Sequence, residues 1–171
     1  MLYYRRKILL ALLELFERQL TAKSLQKYLF LFTHKQIVKA YDFIPYRYGC
    51  FSFQANQDLA TMQKYGYLEI VEQPTGRFIK LKDNKSYLSE LDLFDRQALL
   101  EVRSEFGSLS QTELIRYTYL HFPFYAINSA IAQDILSEEE LELVNKQKRN
   151  YTDLQLFTLG YEGLTLENYI K

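Results

Sequence analysis

Apolar residues recur at helical spacing along most of this chain, and the stretches between them carry turn chemistry. From Arg5 to Leu20, the positions Leu9, Leu12, Leu13, Phe16 and Leu20 fall on one stripe at spacings of three and four, which predicts a first helix. Glu14 and Arg18 stand one turn apart on another face, as an ion pair would. Thr21 is placed to cap a second helix, Ala22 to about Thr33, with Leu25, Tyr28, Leu29 and Phe32 as its apolar face. Lys23 and Lys27, one turn apart elsewhere on that helix, read as a solvated pair, with phosphate or an acidic side chain as the functional alternative. His34 stands where a helix end favours a cation, and reads as a cap, not a metal ligand.

The stretch Tyr41 to Phe53 gathers six aromatic residues around one proline and one glycine. Pro45 fixes its own φ and extends Ile44. Gly49 permits a turn that other residues resist. Together they predict a structured crossing loop that feeds a third helix capped by Ser52. That helix runs to Tyr65 with Phe53, Leu59, Ala60 and Met62 as its apolar face, and Gly66 closes it. Tyr67–Val71 and Phe78–Leu81 flank the turn Gln73-Pro-Thr-Gly76 and predict a β-hairpin. Three helices and then a hairpin is the order of a winged helix-turn-helix.

The remainder reads as a further helical subdomain, so the expected fold class is mainly α with a small β-hairpin. A fourth helix, Leu91–Phe106, buries Phe94, Ala98, Leu99, Val102 and Phe106, and Gly107 ends it. Ser110 and Glu113 form a capping box for a fifth helix reaching about Leu120, which Pro123 terminates. A short helix over 126–135 follows. Ser137 opens a last one whose glutamates sit at the positive end of its dipole and which reaches about Lys148. Residues 1–150 thus form one domain. Residues 151–171 are a linker followed by an apolar strand, a turn and the start of a helix.

Composition changes this picture little. Net charge is zero, but residues 1–90 carry 14 Lys/Arg against 8 Asp/Glu and residues 91–171 carry 7 against 13. The first half can therefore present a positive field, far weaker than that of a dedicated nucleic-acid binder. Charges interrupt every long apolar run near the start, which excludes a membrane span there and a signal-peptide layout. Cys50 is the only cysteine, so no internal disulfide forms, as suits a reducing cytoplasm.

The candidate chemistry is sparse. Two histidines and one cysteine do not make a zinc site, so no metal and no cofactor are expected. Cys50 with His34 or His121 is a conceivable nucleophile pair, but an aromatic setting raises a thiol's pKa and leaves it inert. Glu138, Glu139 and Glu140 fan around their helix. No glycine-rich phosphate loop is present, and the chain does not read as an enzyme.

Three segments carry a resemblance. Leu25-Gln-Lys-Tyr-Leu-Phe-Leu31 resembles the Leu-Gln-Lys-Leu-Leu-Phe/Tyr helix of the Panacea domain, the SocA-like antitoxin family. Tyr46-Arg-Tyr-Gly-Cys-Phe-Ser52 is similar to its Tyr-x-Tyr-Gly-Pro-Phe/Val-Ser loop, with Cys50 in place of the usual proline. Phe106-Gly-Ser-Leu-Ser110, Glu113-Leu114 and His121-Phe-Pro123 resemble its later Gly-x-Leu-Ser-x-x-Glu-Leu segment. The likeness spans most of residues 5–130. It implies a regulatory, antitoxin-like interaction module that binds a toxin-like protein or restrains a fused domain, and it brings no catalytic residue. The tail, Leu156–Ile170, resembles the opening strand, turn and helix of domain of unknown function 488.

Two surfaces follow from these readings. Tyr46, Arg47, Tyr48 and Phe51 are the candidate partner-binding residues, of types enriched at interaction hot spots. As the alternative, Gln54, Asn56 and Gln57 would read base edges of duplex DNA while Arg77, Lys80 and Lys82 touch phosphate. If the tail begins a separate domain, deleting residues 156–171 leaves the melting temperature of the rest unchanged. Global unfolding on deletion, read by circular dichroism, counts against that division.

Overall fold

The first helix is shorter and more deeply set than its periodicity predicts. In a computed structural model describing residues 2–148, α1 spans Tyr4–Leu15, and Ile8 to Leu13 are all fully buried. Six consecutive buried residues occupy every side of a helix, not one stripe, so α1 has neighbours all around it. It ends where Glu17 and Arg18 take φ of +56° and +64°, left-handed values that cost non-glycine residues about 1–2 kcal/mol each. The chain reverses there into a short strand, β1 (Gln19–Thr21), which the helical spacing of Leu20 had concealed. Glu14 consequently does not meet Arg18. Its carboxylate accepts from Ser86 Oγ and from the amides of Tyr87 and Leu88, fixing a 3-10 turn at Leu88–Glu90.

Helix α2 (Ala22–Thr33) starts as expected, with the Thr21 hydroxyl accepting from the Ser24 amide, and His34 is its C-cap residue. A two-stranded sheet follows, β2 (Ile44–Tyr46) and β3 (Gly49–Phe51), in place of an irregular crossing loop. Ser52 caps α3 (Phe53–Lys64) through the Ala55 amide. The buried side of α3 is Ala55, Asp58, Leu59 and Met62, whereas Phe53 and Ala60 face outward, contrary to the sequence reading. Strands β4 (Leu68–Gln73) and β5 (Gly76–Leu81) form the expected hairpin, with Pro74 and Thr75 in its turn. β1 adds antiparallel to the far side of β5, giving a three-stranded sheet of order β1-β5-β4.

The second half is helical: α4 (Leu93–Phe106), α5 (Gln111–His121), α6 (Ala132–Ile135) and α7 (Glu138–Asn145). Both capping boxes form, Ser110 with Glu113 and Ser137 with Glu140. The segment from Pro123 is a 3-10 turn, Pro123–Ala126, and only four residues of the expected 126–135 helix, Ala132–Ile135, are α-helical. Phe94 does not join the core, because α4 starts at Leu93 and turns its first two residues outward. The fold is thus mixed α/β, helical for the most part, with small antiparallel sheets. Among the described residues no helix is long and apolar enough to cross a membrane. The expected linker and second-domain segment, 151–171, lies outside the described residues.

One polar cluster joins α1, α3 and the segment entering β2. Asp58 is buried, and its carboxylate accepts from Arg5 Nε at 2.6 Å and Arg6 Nε at 2.8 Å, with the Tyr41 hydroxyl 3.2 Å away. Burial alone would push Asp58 up, but the two guanidinium groups outweigh it and hold the carboxyl below its usual range. A carboxyl depressed in the folded state stabilises the fold above its unfolded pKa of about 3.9, and that stabilisation is lost as pH falls through the folded value. Asp58→Asn should cost about 2–3 kcal/mol, less than a wholly buried pair because Arg5 is half exposed. Urea unfolding should show that the variant loses less stability than the wild type as the solution is acidified below pH ~4.

Candidate interaction surface at the 44–51 hairpin

Strands β2 and β3 pair Ile44 with Phe51, Pro45 with Cys50 and Tyr46 with Gly49, which leaves Arg47 and Tyr48 as the turn. Pro45 accepts this place because a two-stranded sheet leaves outer backbone groups unpaired. Gly49 takes φ of +88°, and a Cβ built there would stand 2.5 Å from the Tyr119 ring and 3.2 Å from Lys27 Nζ. Both conformation and space therefore require glycine at the foot of the turn.

Helix α2 grips this hairpin from below. Lys27 is buried, not solvated, and its ammonium donates to the carbonyls of Tyr48 at 2.6 Å and Cys50 at 3.1 Å. Gln26 holds both backbone groups of Ser52, accepting from its amide at 2.9 Å and donating to its carbonyl at 3.4 Å. Lys23 lies 4.4 Å from the centre of the Tyr48 ring, a cation–π contact. Burial pushes the Lys27 amine below its ordinary value, against an opposing influence of Cys50, and Lys23 lowers it further. The Cys50 thiol is pushed up by burial, with Lys27 acting against that shift. Such a thiol lacks the thiolate character of a nucleophile.

Two other elements brace the same hairpin. The Ala130 amide donates to the Arg47 carbonyl at 2.9 Å, and Asn128 Nδ2 donates to Pro45 O at 3.3 Å. Tyr119 from α5 packs under Gly49 and shares a 2.7 Å hydrogen bond with Ser129; burial first of all pushes its phenol up to about 12. The segments 25–31 and 46–52 are thus the two sides of one clamp, and the segment 106–123 supplies Tyr119 beneath it.

Above the clamp lie the predicted partner-binding residues. Tyr46, Arg47 and Tyr48 are exposed, and Phe51 is half-buried. Tyr46, Phe51 and Phe53 form a surface cluster with ring centres 4.9–5.4 Å apart. Phe53 belongs to this face although its spacing assigned it to a helix core. The signal that could have placed it is its position as first residue after a cap, where a side chain projects beyond the helix start. The alternative residues are less uniformly free. Asn56 and Gln57 are exposed, but Gln54 accepts from the Asp42 amide. Arg77 is paired with Glu72 at 2.6 Å, and Lys80 stands across the strand pair from Glu69. Lys82 is exposed just beyond β5.

His34 packs against Phe30 and Phe122, and His121 stacks on Tyr117. Among the described residues no group of three or more His, Cys, Asp or Glu is arranged to hold a metal ion. No protein-family model matches this chain, and no curated protein matches it significantly.

Gly49→Val should destabilise the protein by about 3 kcal/mol, lowering the melting temperature by roughly 6–12 °C for a chain of this size. An unchanged melting temperature would refute the packing at Gly49. Lys27→Met should cost about 2 kcal/mol near neutral pH through two unsatisfied carbonyls. A base depressed in the folded state makes stability rise with pH, between its folded value and its unfolded value of about 10.4. Urea titrations from neutral pH to about pH 10 should show the wild type gaining stability relative to the variant, the difference isolating Lys27 from the opposite trend of the raised Cys50 thiol.

Proposed function

We propose that this chain is a regulatory protein-interaction module, antitoxin-like, that binds or restrains a protein partner or a fused C-terminal domain. The observation that carries this reading is the hairpin tip: Tyr46, Arg47 and Tyr48 stand exposed, with the half-buried Phe51 and the exposed Phe53 beside them, on a backbone that a buried lysine holds from below. Tyrosine and arginine on an already ordered backbone bind with little loss of conformational freedom. The residues of the clamp are also those that carry the Panacea resemblance, which supports assigning the surface to recognition and not to catalysis.

The alternative is a winged-helix DNA binder. It is favoured by the order α1, β1, α2, α3, β4, β5, interrupted by β2 and β3 between α2 and α3, with β1 on the outer side of β5, and by the exposure of Asn56 and Gln57 on α3. Charge argues for the first reading. Arg77 and Lys80 face Glu72 and Glu69 across the strand pair, so the hairpin offers phosphate little net attraction.

Replacing Arg47 and Tyr48 by Ala should weaken capture of a co-purifying protein partner at least about tenfold while leaving the melting temperature within a few degrees. Binding of a random-sequence duplex, measured by fluorescence anisotropy, separates the readings. Binding at low salt that collapses with added salt, and weakens in Lys80→Glu and Lys82→Glu variants, supports the alternative. No binding at low salt, with the partner retained, supports the first.

A further inference from the structure

A second surface lies away from the hairpin tip. The segment following α2, the start of α1 and the start of α4 enclose an open groove of about 1310 Å³. Six large apolar side chains line it: Ile37 and Val38 are 83% and 81% exposed, Leu93 and Phe94 76% and 74%, Tyr3 and Tyr4 64% and 42%. Apolar side chains clustered this openly and rimmed by charge mark an interaction surface, not a stray exposed residue.

The charges around the groove select its occupant. Arg5 is committed to Asp58, and Asp95 is buried and accepts from Gln36 and Tyr4, which leaves Lys35 and Lys39 against Asp92 and Glu101, an equal count that gives no net attraction to nucleic acid or to an anionic lipid surface. The two signs are also segregated. Lys35 and Lys39 lie on the 35–40 wall, and Asp92 and Glu101 on the α4 wall. Lys35 reaches Glu105 at 2.7 Å and Glu101 at 3.3 Å across one end, through side chains that remain partly exposed.

We propose that this groove is the self-association surface of the chain, with two copies packed groove to groove about a two-fold axis running along it. Rotation about that axis lays the basic wall of each copy on the acidic wall of the other and Ile37 and Val38 on the partner's Leu93 and Phe94. A two-fold axis across the groove would oppose like charges. An isologous contact needs a surface that is its own complement, and this arrangement of charge supplies one. The surface uses none of the hairpin-tip residues, so the two assignments can fail separately.

Sedimentation equilibrium of the full chain should give twice the 20.4 kDa chain mass at micromolar concentration. Ile37→Glu with Phe94→Glu should return it to a monomer, weakening association at least about 100-fold, with an unchanged far-ultraviolet spectrum because both side chains are already in water. A wild type that stays at 20.4 kDa up to roughly 100 µM overturns the proposal, and so does a dimer that both substitutions leave intact. The axis is tested by oxidising a mixture of Val38→Cys and Leu93→Cys chains. The buried Cys50 contributes little background. The mixture should cross-link while each variant alone does not; equal cross-linking of either variant alone overturns the axis.

Discussion

A helix that buries Ile8 through Leu13 without a break cannot lie on the outside of anything. Each of these larger side chains contributes about 1.5–3 kcal/mol on leaving water, and they point in every direction around the axis. Helices α2, α3 and α4 and the strand β5 accordingly surround α1. The ends of the helix are polar, and there the surrounding elements are fixed in register. Arg5 and Arg6 hold α3 through Asp58 at one end, and Glu14 holds the turn that leads into α4 at the other.

With α1 as the interior, α2 is free to use two faces. Its apolar face joins the core, and its polar face, Lys23, Gln26 and Lys27, positions the β2–β3 hairpin. A buried ammonium is an expensive way to hold two carbonyls, and an apolar side chain in its place would leave both without a donor. The cost is offset by a defined geometry at the tip. Arg47 and Tyr48 turn outward from a backbone fixed on three sides, by Lys27, by Ala130 and by Tyr119 under Gly49.

Much of this was legible in the chain. Caps announced their helices: Thr21, Ser52, Ser110 and Ser137 all stand where their side chains accept the first free amides. The hairpin after α3 followed from its proline and glycine. What escaped was tertiary in origin. β1 hid inside a helical repeat because its turn uses Glu17 and Arg18 in left-handed conformation, where a glycine would have signalled a break. Lys27 was read as solvated because spacing cannot tell a polar face turned to water from one turned to carbonyls. Phe94 was placed in the core by the same periodicity, and Phe53 likewise, yet both stand outside it. In the candidate site, residue types pointed to Tyr46, Arg47 and Tyr48, while the lysine that holds them was visible only in three dimensions.

The order of strands in the larger sheet bears on how the chain is made. β1 ends at Thr21, but the strand it pairs with does not begin until Gly76. During synthesis α1 therefore leaves the ribosome long before its covering strand β5 and α4 exist. Its apolar surface would then wait uncovered over the translation of about ninety residues, about 5–18 s at ordinary elongation rates. Nascent-chain arrest before and after Phe106 would divide the biogenesis of this protein into a guarded phase and a self-sufficient one.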